Sequence, residues 1–357
     1  MQIEAPKGTF RIDMSQKMIR TIGDPDHRFT ENPLRIMQAV SLAAQFGFPI
    51  EQETKDAIRR HAAELQHIPP ERIAEELTKI ICSPHPETLE TMYELGITAQ
   101  FFPEFDRMMK TEQNTPYHYT DVGHHTIAVM QNVSPTKEMR YAALLHDIGK
   151  PLCKTTDEQG IDHFKTHADV GEPLTGTILR RFGMDDKMIE HICRLVKWHD
   201  FGIDGKTTEE GFRRAMSKIG IENFPEYLEL RMADMAGQSD YRKEWKLGNI
   251  ERIVQMYDKV MEENQKFSIL AVSEKDMQDL GIEPGSQMGQ VMSHLLDMVQ
   301  EEPSKNESET LKTEAKKLAA RQRMEKSLKD RQETARKNAH NGETKGEAIA
   351  VGDRPEK

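Results

Sequence analysis

Three observations predict an all-α fold. Apolar residues recur at three- and four-residue spacing through most of the chain, helix-start and helix-stop residues bracket those stretches, and alternating strand patterns are nearly absent. With 357 residues, the chain has room for roughly two or three domains that each bury a core.

The first element is the clearest. Thr30-Glu31-Asn32-Pro33 offers an N-cap and an early proline, Leu34, Met37, Val40, Ala44 and Phe48 then share one face, and Gly47 provides a C-cap. Similar patterns predict helices over 71–82, 86–95, 122–131, 138–148, 168–182, 187–199, 224–236 and 250–264. One stretch departs from this rule: 155–164, with Glu158-Gln159-Gly160 at its centre, reads as a hairpin or an irregular loop. The turn-rich stretch 110–116 and the two glycines of 200–207 set off a histidine-rich unit. After Pro303 comes a helix-prone segment rich in Lys, Glu, Ala and Arg. Large apolar residues then nearly vanish, which predicts disorder in roughly the last fifteen to twenty residues.

Composition narrows the class. No run approaches the ~18–20 apolar residues of a membrane helix, and the opening QIEAPKGTF has neither a secretory h-region nor an arginine-rich amphipathic face. Cys82, Cys153 and Cys193 are scattered, without a CxxC, which disfavours a disulfide framework or a thiolate zinc site. A reducing, cytoplasmic setting without membrane contact is expected. Residues 311–357 hold 13 Lys/Arg and 8 Asp/Glu, net +5, so the formal charge of −11 leaves −16 on the preceding 310 residues. Such a body needs a local basic groove or metal ions to contact phosphate.

Of 14 histidines, seven lie between His124 and His199. The strongest local signal among them is the His146-Asp147 pair in Leu144-Leu145-His146-Asp147-Ile148-Gly149-Lys150, at the end of an apolar helix. Neighbouring helical side chains point about 100° apart, so they grip one ion only where a helix ends or helices converge. Imidazole and carboxylate suit one or two divalent ions, drawn from Ni, Mn, Co, Fe, Zn or Mg, and open positions suit Lewis-acid hydrolysis. The competing reading is a helix C-terminus with a capping imidazole. His124-His125-Thr126, His163, His167, His199 and Asp234 form an ordered set around the pair.

This set resembles the HD-domain metal-dependent phosphohydrolases. The resemblance implies that His125, His146, Asp147 and Asp234 are metal ligands, with His167 and His199 completing a two-ion site. It also implies that Asp147 is catalytic by bridging the ions or orienting the nucleophile, and that Lys150 faces the substrate phosphate. His124 and His163 are then surface or supporting residues, and His191 a solvated one.

A second resemblance covers about residues 10 to 310. Ile19-Arg20-Thr21-Ile22-Gly23-Asp24-Pro25-Asp26-His27-Arg28-Phe29-Thr30-Glu31-Asn32-Pro33-Leu34-Arg35 is similar to the neck of the tRNA nucleotidyltransferases, the CCA-adding and poly(A) polymerase family. Gln45-Phe46-Gly47-Phe48-Pro49-Ile50 and Pro70-Glu71-Arg72-Ile73-Ala74-Glu75-Glu76-Leu77 continue the match, and Leu280-Gly281-Ile282-Glu283-Pro284-Gly285 resembles the family's RNA-binding tail. The implied division is a remnant over 1–20, a neck over 21–110, an HD domain over 111–240, a helical tail over 241–305 and a charged extension over 306–357. It implies tRNA or another RNA 3′ end, and nucleotides, as partners.

Departures qualify this. The family's head, with its Asp-x-Asp pair, has no counterpart in the twenty residues before the neck, so nucleotide transfer is expected only with a separate head. In the family's nucleotide-reading Glu-Asp-x-x-Arg, Glu31 and Arg35 are kept but Asn32 replaces the Asp, and Gln38 and Ser41 stand where basic residues are usual. An amide donates as well as accepts, which alters base discrimination. For Arg28, Glu31, Asn32 and Arg35 a helix-start charge network competes with nucleotide binding. Two functions follow: an HD phosphohydrolase acting on phosphomonoesters or cyclic phosphodiesters of nucleotides or RNA 3′ ends, or the RNA-binding C-terminal part of a split or truncated CCA-adding enzyme.

Overall fold

The computed structural model describes residues 2–4, 9–201, 206–267 and 269–324, with backbone only at 2–4, 263–267 and 300. The predicted disordered tail lies outside these residues. Two compact units divide the chain, one of residues 1–205 with 218–251 and the other of 206–217 with the residues from 252 onward.

The first unit opens on a feature that helical periodicity did not reveal. Strands β1 (Gln2–Glu4), β2 (Phe10–Asp13) and β3 (Met18–Thr21) form an antiparallel meander with register Ile12↔Ile19. Phe10, Ile12 and Ile19 are buried, and Ile19 also makes a parallel bridge to Ile50. Asp24 caps α1 (Pro25–Glu31) by accepting from the Asp26 N–H. Thr30 therefore does not cap the next helix, because it lies in the last turn of α1 with its hydroxyl on the Asp26 carbonyl. The break comes at Asn32, before α2 (Leu34–Phe46). Leu34, Met37, Val40 and Ala44 are buried as the spacing predicts, and Gly47 ends the helix at φ +64°, a conformation that favours glycine. Phe48 falls beyond this stop.

Helices α3 (Gln52–His61), α4 (Pro70–Ile81), α5 (Thr88–Glu94), α6 (Thr98–Phe101) and α7 (Pro103–Met109) follow. Next come α8 (Val122–Gln131), α9 (Lys137–Leu145), α10 (Lys150–Cys153), the hairpin β4 (Thr155–Thr156) and β5 (Asp162–His163), α11 (His167–Arg181) and α12 (Asp186–Trp198). Asp121, Thr136 and Asp185 cap α8, α9 and α12 with side-chain oxygens, each replacing about 1 kcal/mol of otherwise lost capping. Helices α13 (Glu209–Ile219), α14 (Phe224–Ala236) and α15 (Lys243–Phe267) follow, and the unit boundaries fall within α13 and α15. Around α9, Tyr141, Ala142, Ala143, Leu144 and Leu145 have no more than negligible exposure, so the end of this helix is embedded in the core.

In the second unit Ser273 and Asp276 form a reciprocal capping box on α16 (Glu274–Asp279). Met277, Ile282, Val291 and Leu295 of α16, α17 (Ser286–Glu301) and their connection pack with Leu311 and Ala315 of the helical stretch 308–324. Cys82, Cys153 and Cys193 are free thiols. Among the described residues no helix is long and apolar enough to cross a membrane.

Candidate metal centre

The His-Asp dipeptide serves one site because the helix stops there. Helix α9 ends at Leu145, His146 is its C-cap residue, and Asp147 lies in the turn that leads to α10. Both side chains are buried, at 0% and 1% exposure. Helix α8 brings His125, α11 brings His167 at its first turn, the end of α12 brings His199, and α14 brings Asp234, all buried. All six sequence-predicted ligands thus meet.

Asp147 is at the centre. Its Oδ2 lies 3.1 Å from His146 Nε2 and 3.6 Å from His125 Nε2, while its Oδ1 lies 3.4 Å from His167 Nε2 and 3.7 Å from His199 Nε2. Asp234 Oδ1 is 3.0 Å from His125 Nε2. The potential ligand sets His125/His146/Asp147 and Asp147/His167/His199 therefore share one carboxylate, with a different oxygen facing each.

The imidazoles are preset for ligation. The Nδ1 atoms of His125, His146, His167 and His199 face the carbonyls of Gly237, Ala143, Phe164 and Val196 at 3.2, 2.7, 2.9 and 2.7 Å. A carbonyl only accepts, so each Nδ1 carries the proton and each Nε2 is left with a lone pair for a cation. His146 is consequently both a capping imidazole and a ligand candidate. The Nε2 atoms of His167 and His199 stand 3.1 Å apart, where two lone pairs repel unless a proton or a cation lies with them. His146 Nε2 and Asp147 Oδ2 are buried without an aligned hydrogen bond. The unbonded His146 Nε2, and the N/O chemistry of a set whose Asp147 Oδ2 is paired with Lys150, fit a divalent ion.

Burial alone would raise the Asp147 and Asp234 carboxyls, but neighbouring positive groups outweigh it. With a proton on the Nε2 that otherwise offers its lone pair, His146, together with Lys150, holds Asp147 well below the ordinary carboxylate range, and His125 likewise holds Asp234 below it. Burial pushes His167 down, with help from His199 and Lys150.

Lys150 Nζ sits 2.6 Å from Asp147 Oδ2 and donates to Gln113 Oε1 at 2.8 Å, with the Phe164 ring 5.4 Å away. Arg231 donates to the His199 carbonyl at 3.1 Å and to Asp200 at 3.0 Å, and Gln238 donates to Asp234 at 3.1 Å. His124 lies outside the cluster, between Asp121 and Glu90, and His163 pairs with Asp157. His191, expected to be solvated, instead pairs with Glu226 at 2.8 Å and is half-buried. Sequence reasoning missed His118, whose ligand atom joins those of His125 and Asp234 within 4.8 Å of one another. It lies in an irregular segment, so no periodicity marks it.

At the junction of α1 and α2, Arg35 donates to Glu31 at 2.6 Å and to the Arg28 carbonyl at 3.0 Å, and Arg28 reaches the Ile22 carbonyl at 3.2 Å. Asn32 Oδ1 accepts from the Leu34 N–H at 3.1 Å, bridging the break between α1 and α2. These four residues form the helix-junction network that competed with nucleotide binding.

Comparison with known proteins finds two family patterns and several relatives. The HD domain pattern matches residues 122–260, and the pattern described as a probable RNA- and SrmB-binding site of polymerase A matches 47–109. The CC-adding tRNA nucleotidyltransferase of Thermus thermophilus is 28% identical over 282 residues, 75% of this chain and 62% of that protein. The chain is thus similar in sequence to a tRNA nucleotidyltransferase. The Multifunctional CCA protein of Aliivibrio salmonicida is 28% identical over 63% of this chain and 58% of its own length. The chain thus spans about three-fifths of these relatives. The crystal structure of the Bacillus stearothermophilus CCA-adding enzyme in complex with CTP aligns over 90% of this chain and 73% of that one, with a TM-score of 0.50 and 19% identity, a likeness of fold.

Proposed function

We propose that the chain is a metal-dependent phosphohydrolase that cleaves phosphomonoesters or cyclic phosphodiesters of nucleotides or RNA 3′ ends, in the cytoplasm, within tRNA 3′-end metabolism. The observation that carries this reading is the shared carboxylate. Each oxygen of Asp147 faces a different pair of histidines, and all four imidazoles bind a carbonyl through Nδ1 and turn Nε2 into the cluster. One or two divalent ions bound there supply Lewis-acid polarisation of a phosphoryl oxygen and a water of lowered pKa.

The residues divide the work accordingly. His125, His146 and Asp234 hold one position, His167 and His199 the other, and Asp147 sets the spacing between them. Lys150 is held at Asp147 by Gln113, and from there its ammonium can neutralise charge on an incoming phosphate. Arg231 orients His199 through its carbonyl. Neck 21–110, HD domain 111–240 and tail 241–305 are the proposed working division.

The purified protein should bind about one to two divalent ions and hydrolyse a generic phosphodiester with added Ni, Mn or Co, and His146→Ala with Asp147→Ala should abolish this. Absence of both binding and hydrolysis in the wild type with all three ions would sink the reading. A second reading, RNA binding as part of a CCA-adding system with a separate head, is favoured by the neck match at 47–109. Arg28, Glu31, Asn32 and Arg35 would contact nucleotides in it. It requires tRNA affinity that falls steeply with salt, and no binding at low salt would remove it.

A further inference from the structure

His118 lies between α7 and α8, ahead of His125 in the chain. Its ring meets that of His125 edge-on, with centroids 4.8 Å apart. Its Nδ1 is 3.1 Å from the Thr115 hydroxyl, and its Nε2 is shielded from solvent with no hydrogen-bond partner. In the tautomer that donates from Nδ1 to the Thr115 hydroxyl, a neutral imidazole presents an Nε2 lone pair, and that nitrogen is sequestered beside His125 and Asp234.

We infer that His118 is a further protein ligand of the ion position built on His125 and Asp234. The inference rests on the metal-dependent reading above, and lone-pair counting gives it its form. His125 Nδ1 is engaged by the Gly237 carbonyl, so only one nitrogen of this residue can ligate, and one nitrogen serves one ion. The sets His118/His125/Asp234 and His125/His146/Asp147 therefore belong to a single ion position. Asp147, with two oxygens, is the member that can serve two ions. The centre consequently takes two ions rather than three, and an additional imidazole shifts its first position towards nitrogen-preferring ions such as Co, Ni or Zn and away from Mg.

Cobalt titration of the full chain tests this, with optical spectra recorded for wild type, His118→Ala, His118→Cys and a His191→Cys control. His118→Ala should weaken one of two cobalt-binding steps by about 10–100-fold and alter the ligand-field bands. In His118→Cys, a thiolate-to-cobalt charge-transfer band should appear that is absent from wild type and from His191→Cys. This gain of signal decides the matter if the alanine variant fails to fold. Unchanged affinity and bands in His118→Ala, no new band in His118→Cys, or uptake of three ions by wild type would overturn the inference, with hydrolysis by wild type left standing. No cobalt uptake by wild type would overturn the inference, and the metal-dependent reading falls with it only if Ni and Mn also give neither binding nor hydrolysis.

Discussion

Gly149 has ordinary right-handed backbone angles, φ −80° and ψ −20°, so alanine would adopt them without strain. On backbone grounds alone Gly149→Ala should stabilise by about 0.4–1 kcal/mol, by restricting the unfolded chain. The packing opposes this. A Cβ at Gly149 would stand 2.1 Å from the His167 carbonyl oxygen and 2.8 Å from the Gly171 nitrogen, main-chain atoms where the first turn of α11 meets the second. Opening the shorter contact to an ordinary separation moves that turn by about 1 Å, beyond the ~0.5 Å tolerance of a preorganised site. Overpacking costs about 1–3 kcal/mol, so a net loss of about 1–2 kcal/mol is expected. His167 lies on the displaced turn and His125 does not, so the damage should be selective. Calorimetric cobalt titration should show one binding step weakened about 10–100-fold with the other nearly unchanged, beside a lower urea midpoint. Equal weakening of both steps, or a variant more stable than wild type with intact binding, would refute the reasoning.

Three further outcomes follow from contacts around the site. Arg231→Met removes the donor to the His199 carbonyl and should weaken the same binding step about tenfold, read by the same titration. Tyr141→Phe removes the partly buried 3.0 Å bond between the Tyr141 and Thr78 hydroxyls and should cost about 1 kcal/mol in urea unfolding without changing metal binding. Asp162 is lowered to about 2: burial opposes this, but Lys154, the Asn114 N–H and the Thr156 hydroxyl overcome it. Its folded pKa lies below its unfolded value, so its stabilisation is complete above about pH 4 and is lost as pH falls towards 2, and Asp162→Asn should flatten the urea-stability curve in that window.

Much of this architecture is legible in the sequence, for physical reasons that differ by element. The one-sided apolar spacing of α2 and the glycine after it mark a helix and its stop, and 122–131 and 224–236 match α8 and α14 end to end. Strands β2 and β3 are not legible, because each is four residues long and too short to establish a period of two. Thr30 misleads for another reason: Asp24 caps a separate short helix upstream, and a threonine in that helix's last turn resembles a cap for the next. The six ligand candidates are recognisable by their neighbours in sequence, whereas His118, Gln113 and Gln238 acquire meaning only when distant segments converge.

The capping imidazoles give the centre a mechanical property. His146 and His199 bond carbonyls three residues back, in the final turns of α9 and α12, so each clamps the end of its own helix with one nitrogen and offers the other to the centre. Fraying of either helix end and release of its ligand are then one event. Amide exchange in those two turns should therefore slow as the ion concentration rises, so that local unfolding there reports occupancy of the centre.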